Sequence, residues 1–179
     1  MIFMKKIYSP YWLRYLFWGH LRAVTVQVLL YAYRDVDTSP IPIKMVFEAV
    51  GPASFYLEDW YVYGLDKSPE AAADLFGVMA GKEIPTDILG TQEYDKAVKD
   101  ISAYMWINEN TVPTVCAYGV YDRVCPFDSS KHLIKALKEN NVTYDYVEFL
   151  HSGHALQNDN KCYVQYIKKV AEYLDTYMA

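Results

Sequence analysis

Apolar residues in this chain gather into three short runs separated by stretches of helical periodicity. Residues 43–51 (IKMVFEAVG) come after the proline-punctuated loop TSPIP. Residues 113–119 (PTVCAYG) open on a proline and close on a glycine, and residues 144–150 (YDYVEFL) alternate enough to leave one face less buried. Each run is short, rich in β-branched or aromatic side chains and bounded by turn formers, which predicts strands. Residues 127–141 place Leu133, Ile134 and Leu137 at helical spacing, with Asp128 or Ser129 as the N-cap and Asn140–Asn141 as the stop. Residues 159–178 carry Tyr163, Ile167, Val170 and Leu174 on one stripe behind a capping Asp159. Strand, helix, strand, helix in this order predicts an α/β fold, a parallel sheet flanked by helices. Residues 53–110 break the alternation. SPEAAADLFGVMAG and YDKAVKDISAYMWI read as helices, so this stretch is a helical insertion over one edge or face.

Composition narrows the classes. The length suits one domain, and 53% apolar with 22% charged residues is the balance of an ordinary soluble globular protein. A net charge of −5 without a basic stripe argues against nucleic acid as a partner. Eighteen tyrosines favour a surface with half-buried aromatic walls, because the ring packs while the hydroxyl stays satisfied. Three cysteines, an odd number without metal-ligand spacing, argue against a disulfide framework and a zinc site and for a reducing, cytoplasmic setting. The first thirty residues are apolar with a basic start, but Arg14, His20 and Arg22 interrupt them, and no apolar run reaches membrane-spanning length. They read as neither signal peptide nor anchor.

Two titratable groups stand where ligands collect in an open parallel sheet, beyond the carboxyl ends of the strands. Asp122 lies three residues past Gly119, and His154 lies four residues past Leu150, directly after Gly153. An aspartate after a glycine turn is by itself a turn residue, and a lone loop histidine is by itself structural. Their order and their spacing across a strand–helix–strand unit change that. Neighbouring parallel strands bring both loops to one edge, where the carboxylate holds the imidazole in one tautomer and stabilises its protonated form.

The stretch VPTVCAYGVYDRVCPFDSSKHLIKALKENNVTYDYVEFLHSGHALQND resembles the C-terminal part of an α/β-hydrolase, in the esterase and lipase group that overlaps the prolyl-oligopeptidase-like hydrolases. The resemblance covers residues 29–179. It implies Asp122 as the acid and His154 as the base of a triad that runs nucleophile, acid, histidine along the chain. His132 and His151 match no catalytic position, and Ser152 is a loop residue by the same pattern. No metal or organic cofactor is implied. The family nucleophile sits in G-x-S-x-G on a strand-to-helix turn, and none of the eight serines lies in that motif. The preceding strands are absent as well. Residues 29–55 resemble the helix after the nucleophile and the next strand, which places the elbow just before Leu29. Codons for Val24–Thr25–Val26–Gln27–Val28, read in a shifted frame, can encode His-Ser-Ala-Gly. Residues 1–28 are therefore expected to be an atypical segment, out of frame or artificially started, ahead of a hydrolase portion at 29–179.

The expected function is hydrolysis of a small carboxylic ester through an acyl-enzyme, in a lineage whose nucleophile this chain does not display. Tyr56, Trp60, Tyr63 and Trp106 are candidates for the substrate pocket, although each reads equally well as core packing. Two alternatives stand beside this reading. One is a prolyl-oligopeptidase-like peptidase, because the same triad serves both bonds. The other is a non-catalytic remnant that self-associates through an open sheet edge.

Overall fold

The computed structural model describes residues 22–40 and 42–178, with the backbone alone for residues 22–27. The reading of residues 1–28 as out-of-frame or artificially started sequence falls, over residues 1–21, outside the described residues. In chain order the elements are α1 (Arg22–Tyr33), β1 (Val46–Ala49), α2 (Pro69–Ala80), α3 (Gln92–Lys99), β2 (Thr114–Gly119), α4 (Phe127–Glu139), β3 (Tyr144–Phe149) and α5 (Asn160–Tyr177). The strands lie in the order β1-β2-β3 and all pairs are parallel, with Val46 opposite Thr114, Thr114 opposite Tyr144 and Gly119 opposite Phe149. This is the sheet flanked by helices that the alternation predicts.

Side-chain alternation along the strands sorts the core into two layers. Val46, Cys116 and Tyr118 face α1, α4 and the insertion, where Leu29, Leu133 and Leu137 are fully buried. Val115, Ala117, Val147 and Phe149 face the other way, onto Tyr166, Val170 and Tyr173 of α5. Helices therefore cover both faces of β2, and every residue of that strand is buried. β1 is shorter than the apolar run that predicted it. Val50 adopts a φ of 59°, a left-handed conformation rare for a β-branched residue, and its N–H still reaches Ala117 O at 2.9 Å. Gly51 N–H then donates to Glu48 Oε2 at 3.0 Å, and the chain leaves the sheet.

Several boundaries and caps differ from the expectation. α1 runs through Val24–Val28 and on to Tyr33, so the boundary between residues 28 and 29 falls inside a helix. α4 begins behind Pro126, which occupies the N-cap. Asp128 pairs instead with Lys131 on the surface, and the buried Ser129 Oγ accepts the N–H groups of Ala53 and Ser54, at 2.7 and 2.9 Å. Asp159 stands at the N-cap of α5 without bonding the helix's own N–H groups. The buried stripe of α5 is Tyr166, Val170 and Tyr173 rather than the predicted one, since Tyr163 and Ile167 are exposed. In the insertion, α2 matches the first predicted helix, but the second stops at Lys99. Ser102 Oγ donates back to Val98 O at 2.9 Å and accepts Phe55 N–H at 3.0 Å, which ties the helix end to the neighbouring segment. Ala103–Trp106, next along the chain, is a short 3-10 turn.

Candidate active site

The acid and base loops leave adjacent strand ends and are joined before either functional side chain is reached. Val120 N–H donates to Phe149 O at 3.1 Å, and Tyr121 N–H donates to Ser152 O at 3.0 Å. The crossing is so close that a Cβ on Gly119 would lie 2.4 Å from Gly153 O and 2.6 Å from Ser152 O. Only glycine fits there. Behind the base loop, Asp159 acts as an anchor. It accepts from Ser152 Oγ at 2.6 Å and from His151 N–H at 2.9 Å, and it pairs with His151 Nδ1 at 2.8 Å. These bonds, the one from Ser152 first, hold its carboxyl below the usual range.

Asp122 is consequently presented as a side chain with both oxygens assigned. Oδ1 accepts the N–H groups of Val124 and Cys125 at 2.7 and 2.9 Å. Oδ2 lies 2.9 Å from His154 Nδ1. The carboxylate is 3% exposed and the imidazole 24%, so Asp122 is sealed while His154 is partly open to solvent. With Nδ1 donating to the carboxylate, Nε2 carries the lone pair, and among the described residues it has no hydrogen-bond partner. Tyr63 Oη donates to the carbonyl of Asp122 at 3.1 Å, so one predicted pocket residue touches the acid through its backbone.

The other predicted pocket residues are placed elsewhere. Trp60 is a core residue, 1% exposed, packed between Phe55, Phe76 and Tyr63 with ring centroids 5.5–5.9 Å apart. Its Nε1–H is taken by Ser54 O at 3.1 Å, so it lines no cleft. Trp106 lies under the Arg34 guanidinium and borders a hollow of about 220 Å³ with Tyr33 and Thr111. Thr111 leads into β2, so this hollow sits at the amino end of the strand, opposite the Asp122–His154 edge. Tyr56 is half-buried against Tyr104, 6.2 Å between centroids. His132, which matches no catalytic position, has Nε2 3.0 Å from Asp59 Oδ1, with its ring stacked on Tyr104.

The prolyl oligopeptidase family matches residues 68–179, more than half of the chain and the part that holds both loops. The chain belongs to the prolyl oligopeptidase family. It is also similar in structure to an acetyl ester-xyloside bifunctional hydrolase from Caldicellulosiruptor lactoaceticus, at 14% identity and a TM-score of 0.57, covering 87% of this chain and 54% of that one. A second likeness is to esterase 2 of Thermogutta terrifontis in its form phosphoramylated by tabun, at 15% identity and a TM-score of 0.54, covering 86% and 51%. No curated protein matches the chain. These likenesses establish the α/β-hydrolase fold, and the chain spans about half the length of the solved structures it matches.

For a member of the prolyl oligopeptidase family the open question is the hydroxyl. None of the seven described serines bonds His154. Ser54, Ser102, Ser129, Ser130 and Ser152 are committed to the contacts of the insertion, α4 and Asp159. The G-x-S-x-G spacing recurs in the sequence at Gly19-His20-Leu21-Arg22-Ala23, with leucine where serine belongs and alanine at the second glycine. Residues 19–21 lie outside the described residues. Among the described residues no group of three or more His, Cys, Asp or Glu could hold a metal ion, and no helix is long and apolar enough to cross a membrane.

Proposed function

We propose that this chain carries the acid–base half of a serine hydrolase acting on carboxylic esters. The observation that carries the reading is Asp122 held by two backbone N–H groups on one oxygen and facing His154 Nδ1 with the other. In that geometry Nε2 takes the proton from an incoming hydroxyl as its oxygen attacks the ester carbonyl. The imidazolium formed is stabilised by Asp122, which remains a carboxylate. The same proton then passes from Nε2 to the departing alkoxide, leaving an acyl-enzyme, and a water activated by Nε2 releases the acid. No described serine supplies that hydroxyl, so the chain as written is expected to turn over little or no ester. Triad members act as a unit, and losing one leaves only the residual rate of the others.

Peptide-bond hydrolysis is the second reading, favoured by the family's own description. The test compares the chain with its Leu21→Ser/Ala23→Gly variant, using fluorophosphonate labelling, a short-chain p-nitrophenyl ester and a proline p-nitroanilide. Labelling at residue 21 that disappears in His154→Ala, with the ester turned over faster than the anilide, supports the first reading. Faster anilide cleavage supports the second. Labelling of the unaltered chain at another serine, indifferent to His154→Ala, sinks both.

A further inference from the structure

One hydrogen bond at the site is not required by the acid–base chemistry. Tyr63 Oη donates to Asp122 O at 3.1 Å. Tyr63 closes the 3-10 stretch Leu57–Tyr63, and that stretch is tied down independently. Its Asp59 accepts from Ser54 Oγ and faces His132 Nε2 of α4 at 3.0 Å. Its Trp60 donates to Ser54 O and packs its ring 5.9 Å from that of Tyr63. Ser129 on α4 in turn holds the N–H groups of Ala53 and Ser54. The acid loop runs directly into α4. It is thus gripped at its downstream end by α4 and at Asp122 itself by Tyr63, and both grips belong to one bonded assembly.

We propose that Tyr63 is a positioning residue for the Asp122–His154 pair. Its hydroxyl fixes the backbone of Asp122 through the carbonyl. With Oδ1 already held by Val124 and Cys125, a fixed backbone leaves Oδ2 one direction to point, toward Nδ1. Tyr63 thereby acts through Asp122 on the tautomer of His154, and the helical insertion becomes part of the apparatus that aims the base. The inference rests on Asp122 and His154 being the acid–base pair and is independent of which bond is cleaved.

The experiment reads the tautomer of each histidine from imidazole ¹⁵N shifts in the full chain. In the unaltered protein His154 is expected in its Nδ1–H form. Tyr63→Phe keeps the ring and removes the donor. Loss of one neutral hydrogen bond loosens the pair about two- to tenfold, and the population of the Nε2–H form of His154 should rise by that factor. His132, His151 and the amide exchange of Cys116 and Ala117 in β2 should be unchanged, and Tyr61→Phe, which alters a half-exposed neighbouring ring, should match the unaltered chain. An unchanged His154 tautomer in Tyr63→Phe overturns the inference and leaves the proposed function standing. So does a shift that appears only together with His132 and the β2 amides, because that is general loosening. His154 in the Nε2–H form in the unaltered protein overturns both.

Discussion

Glu48 is a carboxyl group that the chemistry does not use, and its surroundings make it a sensor of pH for the whole fold. It is 4% exposed, Oε1 has no hydrogen-bond partner among the described residues, and Oε2 has the Gly51 N–H. Burial pushes its pKa up to about 8 from an ordinary 4.5, an effect the nearby Tyr118 hydroxyl and the Gly51 N–H offset only in part. The folded chain therefore keeps this proton up to about pH 8, whereas the unfolded chain releases it near 4.5. Stability from this group is full below 4.5 and falls as pH rises toward 8, by up to about 1.4 kcal/mol per pH unit. Glu48→Gln should flatten that slope and raise stability at pH 8.5 relative to the unaltered chain. Urea melts at pH 5 and pH 8.5 measure both, and equal pH slopes in the two proteins would show that Glu48 ionises freely in the fold.

Among the elements, the strands were legible because proline, glycine and β-branched residues punctuate them, and their parallel order came from the helices between them. Asp122 and His154 were legible for the same reason, as residues a fixed distance beyond strand ends. The phase of α5 was not. Tyr163, Ile167, Val170 and Leu174 make an apolar stripe on paper, yet Ile167 is 41% exposed while Tyr166 is buried, its hydroxyl donating to Glu48 O at 2.9 Å. Tyrosine is scored as half-polar in a stripe, and the partner that satisfies its hydroxyl is far away in sequence, on β1. The 3-10 stretch Leu57–Tyr63 was illegible too, since its side chains are held by Ser54, Asp122 and His132 rather than by their own periodicity. This assignment predicts different stability losses along one helix. Tyr166→Ala should destabilise by roughly 3–5 kcal/mol and Ile167→Ala by under about 1 kcal/mol, measured by chemical denaturation. Comparable losses at both positions would restore the other phase.

For the molecule as a whole, the outer edge of β1 bears on the expected behaviour in solution. Among the described residues no strand pairs with it, and α5 displays Tyr163, Val164 and Ile167 as exposed apolar side chains. An unpaired strand edge with apolar surface favours association. The chain is therefore expected to self-associate at micromolar concentrations, and Ala49→Pro, which removes an edge donor, should weaken this in sedimentation equilibrium. A monomer at every concentration would contradict it. The opposite edge of the molecule carries a different consequence. From Gly119 to Asp159 the two loops, their glycine crossing and the carboxylate that braces them form one continuous stretch of chain, and among the described residues Tyr63 bonds Asp122 from outside it. On the proposed reading, acid and base can therefore be inherited as a single cassette. A recombination joint anywhere between Tyr63 and Thr114 would transplant the proton-handling half of the chemistry intact, leaving the recipient to supply an oxygen and the brace.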